Sequence, residues 1–257
     1  MSERTERFEV IGPPRLVLRL PAGWVRVVAG REGEVVVRAR ATEGDLGRLS
    51  IEARGDTITV EPERAGWGRW TAVDVEIAVG AAPEVRARLA SAGLVLGTTA
   101  GEVDVSSASG GVEAGVVEGR FTARLASGDL VAVSAGSLDV VSASGDIRVA
   151  EVLGSAGVKT ASGDVALGTV AGELTVRTAS GAVALARFEG RRLDVKTVSG
   201  DVRVRVPAGR RYSIALQSLS GDVRTDFPVS GDGGGAPARL QVGSVSGDIT
   251  IAAAGEG

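Results

Sequence analysis

Six carboxylates recur at one fixed place in this sequence. They end the triplets Ser127-Gly128-Asp129, Ser144-Gly145-Asp146, Ser162-Gly163-Asp164, Ser199-Gly200-Asp201, Ser220-Gly221-Asp222 and Ser246-Gly247-Asp248. Gly and Asp at a constant interval suggest Ca²⁺-binding β-rolls, in which oxygens from successive turns build a coordination sphere of roughly six to eight ligands. Here Asp occurs once per interval and the opposite corner lacks it. Gly111 and Ala182 take its place in two further copies. Half of such a ligand set is missing, so the triplets read as a column of structural turns. Gly supplies an unusual φ, and Ser and Asp bond locally to the backbone. No metal site and no cofactor are expected.

The same carboxylates raise the question of polysaccharide cleavage. That chemistry needs two carboxyls at a set separation, one with a raised pKa. Repeated carboxylates of equal standing mark no such pair. The sequence has no His and no Cys, which removes the commonest general base, the thiol nucleophile and any disulfide framework. No catalytic residue is assigned, and a polysaccharide-active β-helix enzyme stands only as a distant alternative. Trp67-Gly68-Arg69-Trp70 could stack a sugar or grip a partner. Rings covering the end of a core account for it more simply, so Trp67 and Trp70 are possible contact residues.

The elements that carry these corners follow from the spacing. Counting from Ser91, the SG-type corners step by 18, 18, 17, 18, 18, 19, 21 and 26 residues. A second glycine series, Gly101, Gly119, Gly136, Gly154, Gly172, Gly190 and Gly209, falls about midway between them. Each interval then holds two short strands and two corners. Val165, Leu167, Leu174, Val176, Val183, Leu185, Leu193 and Val195 alternate with polar neighbours and should face inward. If like stacks on like, the fold is all-β: a right-handed parallel β-solenoid, or β-helix, with ~18-residue coils. Val, Ala and Leu dominate a 44% hydrophobic chain with 3% aromatics, which suits a narrow interior of small branched side chains.

Residues 1–90 are strand-like but out of phase with the repeat. They read as an irregular N-terminal β section and cap, continuous with the solenoid. Residues 91–251 hold the SGD repeats and 252–257 a short tail. Gly231–Pro237 reads as a flexible loop before the last coil. A solenoid end exposes unpaired strand edges unless capped. The tail after Ile249-Thr250-Ile251 is short and small, so Ile251 is expected at an open C-terminal edge. A protein partner or self-association through that end is the expected interaction. The net charge of −3 gives no footprint for nucleic acid. No apolar run inserts in a membrane, and no signal segment opens the chain, which points to the cytoplasm, or to the cell surface if a leader is missing.

The V-x-T-x-SGDV coils, the Val206-Pro207-Ala208-Gly209 interruption and the Gly-rich loop before the last coil resemble the bacterial β-strand-repeat family labelled "putative adhesin", a domain of unknown function. The likeness covers residues 70–251 well and the first 70 loosely. It implies cell-surface adhesion and carries over no catalytic residue. The function expected is a structural or interaction module, with a Ca²⁺- or glycan-binding adhesin domain as the alternative.

Overall fold

The computed structural model describes residues 2–41, 45–63, 72–226 and 237–254. They form strands, one short 3₁₀ turn at Asp45–Arg48 and no α-helix. The chain divides into two compact units, Met1–Ala132 and Val133–Gly257, a division that falls inside the repeats. Trp67, Trp70 and Gly231–Ala236 lie outside the described residues.

The first unit holds β1 (Ser2–Glu9), β2 (Arg15–Leu20), β3 (Gly23–Ala29), β4 (Glu34–Ala41), β5 (Leu49–Arg54), β6 (Thr57–Pro62), β7 (Val73–Val79), β8 (Glu84–Leu89), β9 (Gly93–Leu96), β10 (Val103–Ser107) and β11 (Val112–Ser127). They make two ladders. One runs β11, β9, β3, β7, β4, β1. The other runs β11, β10, β8, β2, β6, β5. β11 serves both because it bends between Ala114 and Phe121. Pairing is parallel through each stack, then turns antiparallel at the far edge, where β4 and β1 close one ladder and β5 the other. The out-of-phase section before residue 90 therefore continues the stack through β2 and β3 and finishes it with antiparallel strands. Val25, Val27, Leu94, Leu96, Leu16 and Leu18 are buried.

β12 (Leu130–Ser144) carries the chain into the second unit. This unit adds β13 (Ile147–Val152), β14 (Ala156–Ser162), β15 (Val165–Val170), β16 (Leu174–Ser180), β17 (Val183–Phe188), β18 (Arg192–Ser199), β19 (Val202–Pro207), β20 (Tyr212–Ser220), β21 (Val223–Thr225), β22 (Ala238–Ser246) and β23 (Ile249–Ala254). All pairing here is parallel. Ile147 lies beside Val165, Val165 beside Val183 and Val183 beside Val202. All eight inward positions expected from Val165 to Val195 are buried. At about 1.5–3 kcal/mol for each fully buried Val or Leu, these inward positions contribute a large share of the stability. A further column, Val152, Val170 and Phe188, fills the bends at the ends of β13, β15 and β17.

The order of strands departs from the order of the chain at the last repeat. β22 pairs with β18 on one side and β20 on the other. β23 likewise lies between β19 and β21. The final two strands are thus inserted beneath the pair that precedes them. Ile251, expected at an open edge, is fully buried and has Val204 on one side and Thr225 on the other. Among the described residues the outer edge belongs to β20 and β21 instead.

Candidate functional site

The Ser-Gly-Asp corners stack as a column, and the structure shows why Gly is needed there. Gly163 has φ +119°, and a Cβ on it would lie 2.2 Å from the Gly145 carbonyl oxygen. Left-handed backbone and close approach both exclude a side chain. Four of the midway glycines, Gly119, Gly154, Gly172 and Gly190, serve close packing, whereas Gly209 has open space around it and a φ of +76°. A Cβ on Gly190 would lie 1.9 Å from the Gly172 carbonyl oxygen.

The Asp side chains do more than close their own turns. The Asp164 N–H donates to Asp146 Oδ1 at 3.0 Å, and the Ala182 N–H donates to Asp164 Oδ1 at 2.8 Å. Past Ala182, which has no carboxylate, the run resumes. Asp248 N–H donates to Asp201 Oδ1 at 3.1 Å and Asp222 N–H to Asp248 Oδ1 at 2.9 Å. Each bond ties one repeat to the next. The second oxygen of two of these carboxylates meets the Arg two residues on, Arg148 to Asp146 at 2.6 Å and Arg203 to Asp201 at 2.8 Å, and Arg224 pairs in the same way with Asp222 at 2.8 Å. These exposed pairs offset the repulsion of stacked charges and add little stability of their own. The backbone N–H of Asp164 is the chief reason the Asp146 carboxyl is held below its ordinary value; burial opposes this and Arg148 assists. A general acid needs the opposite shift. Among the described residues no three acidic side chains converge on a point that could hold a metal ion.

A further column went unread in the sequence, although the motif contains it. Ser142, Thr160 and Thr178 are buried, and their hydroxyls donate to the carbonyls of Ser144, Ser162 and Ser180 at 3.0, 2.9 and 2.9 Å. They satisfy the carbonyl that begins these three corners, while the Thr197 and Ser244 hydroxyls, at the same place in later repeats, are buried without a partner among the described residues. The hydroxyl in V-x-T-x-S-G is the signal, since a polar residue at an inward position needs a partner.

The first unit carries the most distinctive surface. Trp24 is 51% exposed, and Gly93 is its neighbour in the parallel register. A Cβ on Gly93 would lie 2.4 Å from Trp24 Cζ3, so the ring lies across the space that the glycine leaves. Trp24, Arg26, Arg38, Asp74, Glu76 and Glu113 line a cavity of about 400 Å³. Arg38 donates to Glu76 at 3.0 Å. Indole, guanidinium groups and carboxylates on rigid strands can stack and hydrogen-bond a polar ring. The sequence singled out Trp67 and Trp70 and passed over Trp24, whose exposure depends on a glycine 69 residues away.

Stacked parallel strands with hydrogen-bonded corners define an all-β repeat protein. Residues 21–252 match the family described as Toastrack DUF4097, and the chain belongs to that family. Its fold is similar to the crystal structure of a "putative adhesin" from Parabacteroides merdae ATCC 43184, with TM-score 0.52, 10% identity and coverage of 97% of this chain and 95% of that one. It is also similar to a "putative lipid binding protein" from Parabacteroides distasonis ATCC 8503, with TM-score 0.51, 15% identity and coverage of 97% and 96%. No curated protein matches the chain. No helix among the described residues is long and apolar enough to cross a membrane.

Proposed function

We propose that this chain is a non-catalytic interaction module of adhesin type, a right-handed β-solenoid of ~18-residue coils that displays a rigid β surface to a partner. The observation that carries this reading is the use of the Ser-Gly-Asp carboxylates. Their oxygens accept backbone N–H groups of adjacent repeats or pair with Arg, so the most repeated chemical feature of the sequence is structural. The winding is supported by parallel registers such as Val165 to Val183 and by the near-universal right hand of parallel crossovers. Incubation with a panel of bacterial polysaccharides should release no reducing ends. Sustained turnover, abolished by one carboxylate substitution, would overturn the reading.

The Trp24 surface favours a second reading, in which the partner is a saccharide. A cavity of about 400 Å³ with one exposed indole and several planar polar groups suits one or two sugar rings. Covering the Gly93 backbone is a sufficient structural reason for the indole, so the binding test must be separate from stability. Trp24→Ala and Glu113→Gln should each weaken binding on a glycan array tenfold or more, about 1.4 kcal/mol, with Glu113→Gln leaving the melting temperature unchanged. No saccharide binding by the parent protein would remove this reading and leave the first intact.

A further inference from the structure

The inserted last strands leave β20 and β21 as the outer pair of the second unit. Among the described residues β20 pairs with β22 alone and β21 with β23 alone. Their side chains show what stacking normally hides. Leu240 and Val242 in β22 are buried, while their register partners Ile214 and Leu216 in β20 are only half-buried. Val223 is 45% exposed and Leu219 83%.

An open strand edge is usually protected by charge, proline or shortness. β20 has none of these: it is nine residues, Tyr-Ser-Ile-Ala-Leu-Gln-Ser-Leu-Ser, without a charge or a proline. The edge strands of the first unit differ. β1 carries Glu3, Arg4, Glu6, Arg7 and Glu9, and β5 carries Glu52 and Arg54. Setting β20 against either would strip water from charges that gain no partner on an uncharged strand. A second copy of β20 brings no charge and the same half-open apolar row.

We infer that the β20 edge docks a second copy of this chain, β20 against β20 in antiparallel sense, to give a closed dimer. A two-fold axis reverses strand direction, so the pairing is antiparallel and uses one patch twice. Because that patch is consumed, growth stops at two. The end layer is small. Nine residues at about 3.3 Å by a sheet spacing of about 10 Å cover roughly 300 Å², well under the ~800 Å² per partner of a standard interface. The dimer is therefore weak and appears only at high concentration. This inference stands on strand order and edge charge, and does not depend on the Trp24 surface.

Sedimentation equilibrium of the full chain from about 5 μM to 1 mM should show the average mass rising toward twice the monomer and no further. Leu216→Lys should keep the protein monomeric throughout, with its circular dichroism unchanged. Cross-linking supplies a readout that does not depend on that variant folding. The chain has no cysteine, so Ala215→Cys places one thiol on exposed β20, and a short bis-maleimide should join two copies. Glu6→Cys on β1 should give no product. A monomer at 1 mM without Ala215→Cys cross-links overturns the inference. So does growth beyond two copies with mixed cross-links between the two variants, which is head-to-tail assembly.

Discussion

The Asp146 carboxylate accepts the backbone N–H of Asp164, 18 positions later in the sequence and adjacent in the stack, at 3.0 Å. That bond makes the corner column a set of ties between repeats, and it sets a pH dependence. The Asp146 carboxyl lies below its ordinary value when folded. Its contribution is therefore complete above the unfolded value and is lost as pH falls through the folded one. The melting temperature should be flat from pH 7 to 5 and fall below about pH 4. Asp146→Asn should flatten the acid limb, measured by calorimetry between pH 2 and 7. An unchanged acid limb would show that other carboxylates set it.

Calcium should not stabilise the protein. Asp146, Asp164, Asp201 and Asp248 each commit an oxygen to a backbone N–H, and among the described residues no three acidic side chains gather where they could hold a metal ion. Thermal melting with 1 mM Ca²⁺ and with EDTA should superimpose. A rise of several degrees would mean a site that binds the folded state selectively.

The midway glycines give a sharp packing test. At Gly190 a Cβ would meet the Gly172 carbonyl oxygen and the Phe188 ring, so Gly190→Ala should cost about 2–3 kcal/mol. Gly243 sits in a strand with nothing within 4 Å of its virtual Cβ. Gly243→Ala should change stability by less than about 0.5 kcal/mol. Urea unfolding of both variants checks the pair, and equal losses would refute the close-approach account.

Much of this was legible in the sequence because the period is rigid. Val165, Leu167, Val176 and Val195 are buried as their alternation requires, since a strand has only two faces. The Asp bonds were half legible. Triplet chemistry predicts a turn, but an acceptor that reaches the next repeat is visible only once the repeats are stacked. The order of the last strands was not legible from spacing, because the interval of 26 residues between the last two Ser-Gly-Asp corners leaves the side on which the chain returns undetermined. One residue did carry the information. Thr225 stands where other repeats place Leu167, Val204 or Ile251, and a polar residue at that inward place marks a terminal layer.

That difference makes the strand order testable without a new structure. In chain order Ile251 would be terminal and Val223 internal. In the fold Ile251 is fully buried between two neighbours, and Val223 is 45% exposed with one. Ile251→Asp should bury an unpaired carboxylate and cost about 4 kcal/mol or more, although it lies six residues from the C-terminus. Val223→Asp should leave its carboxylate in reach of water and cost about 1 kcal/mol or less. Chemical denaturation of the two variants, read by circular dichroism, separates the cases. If Val223→Asp proves the more damaging, the last strands are not inserted, and the open edge returns to β22 and β23.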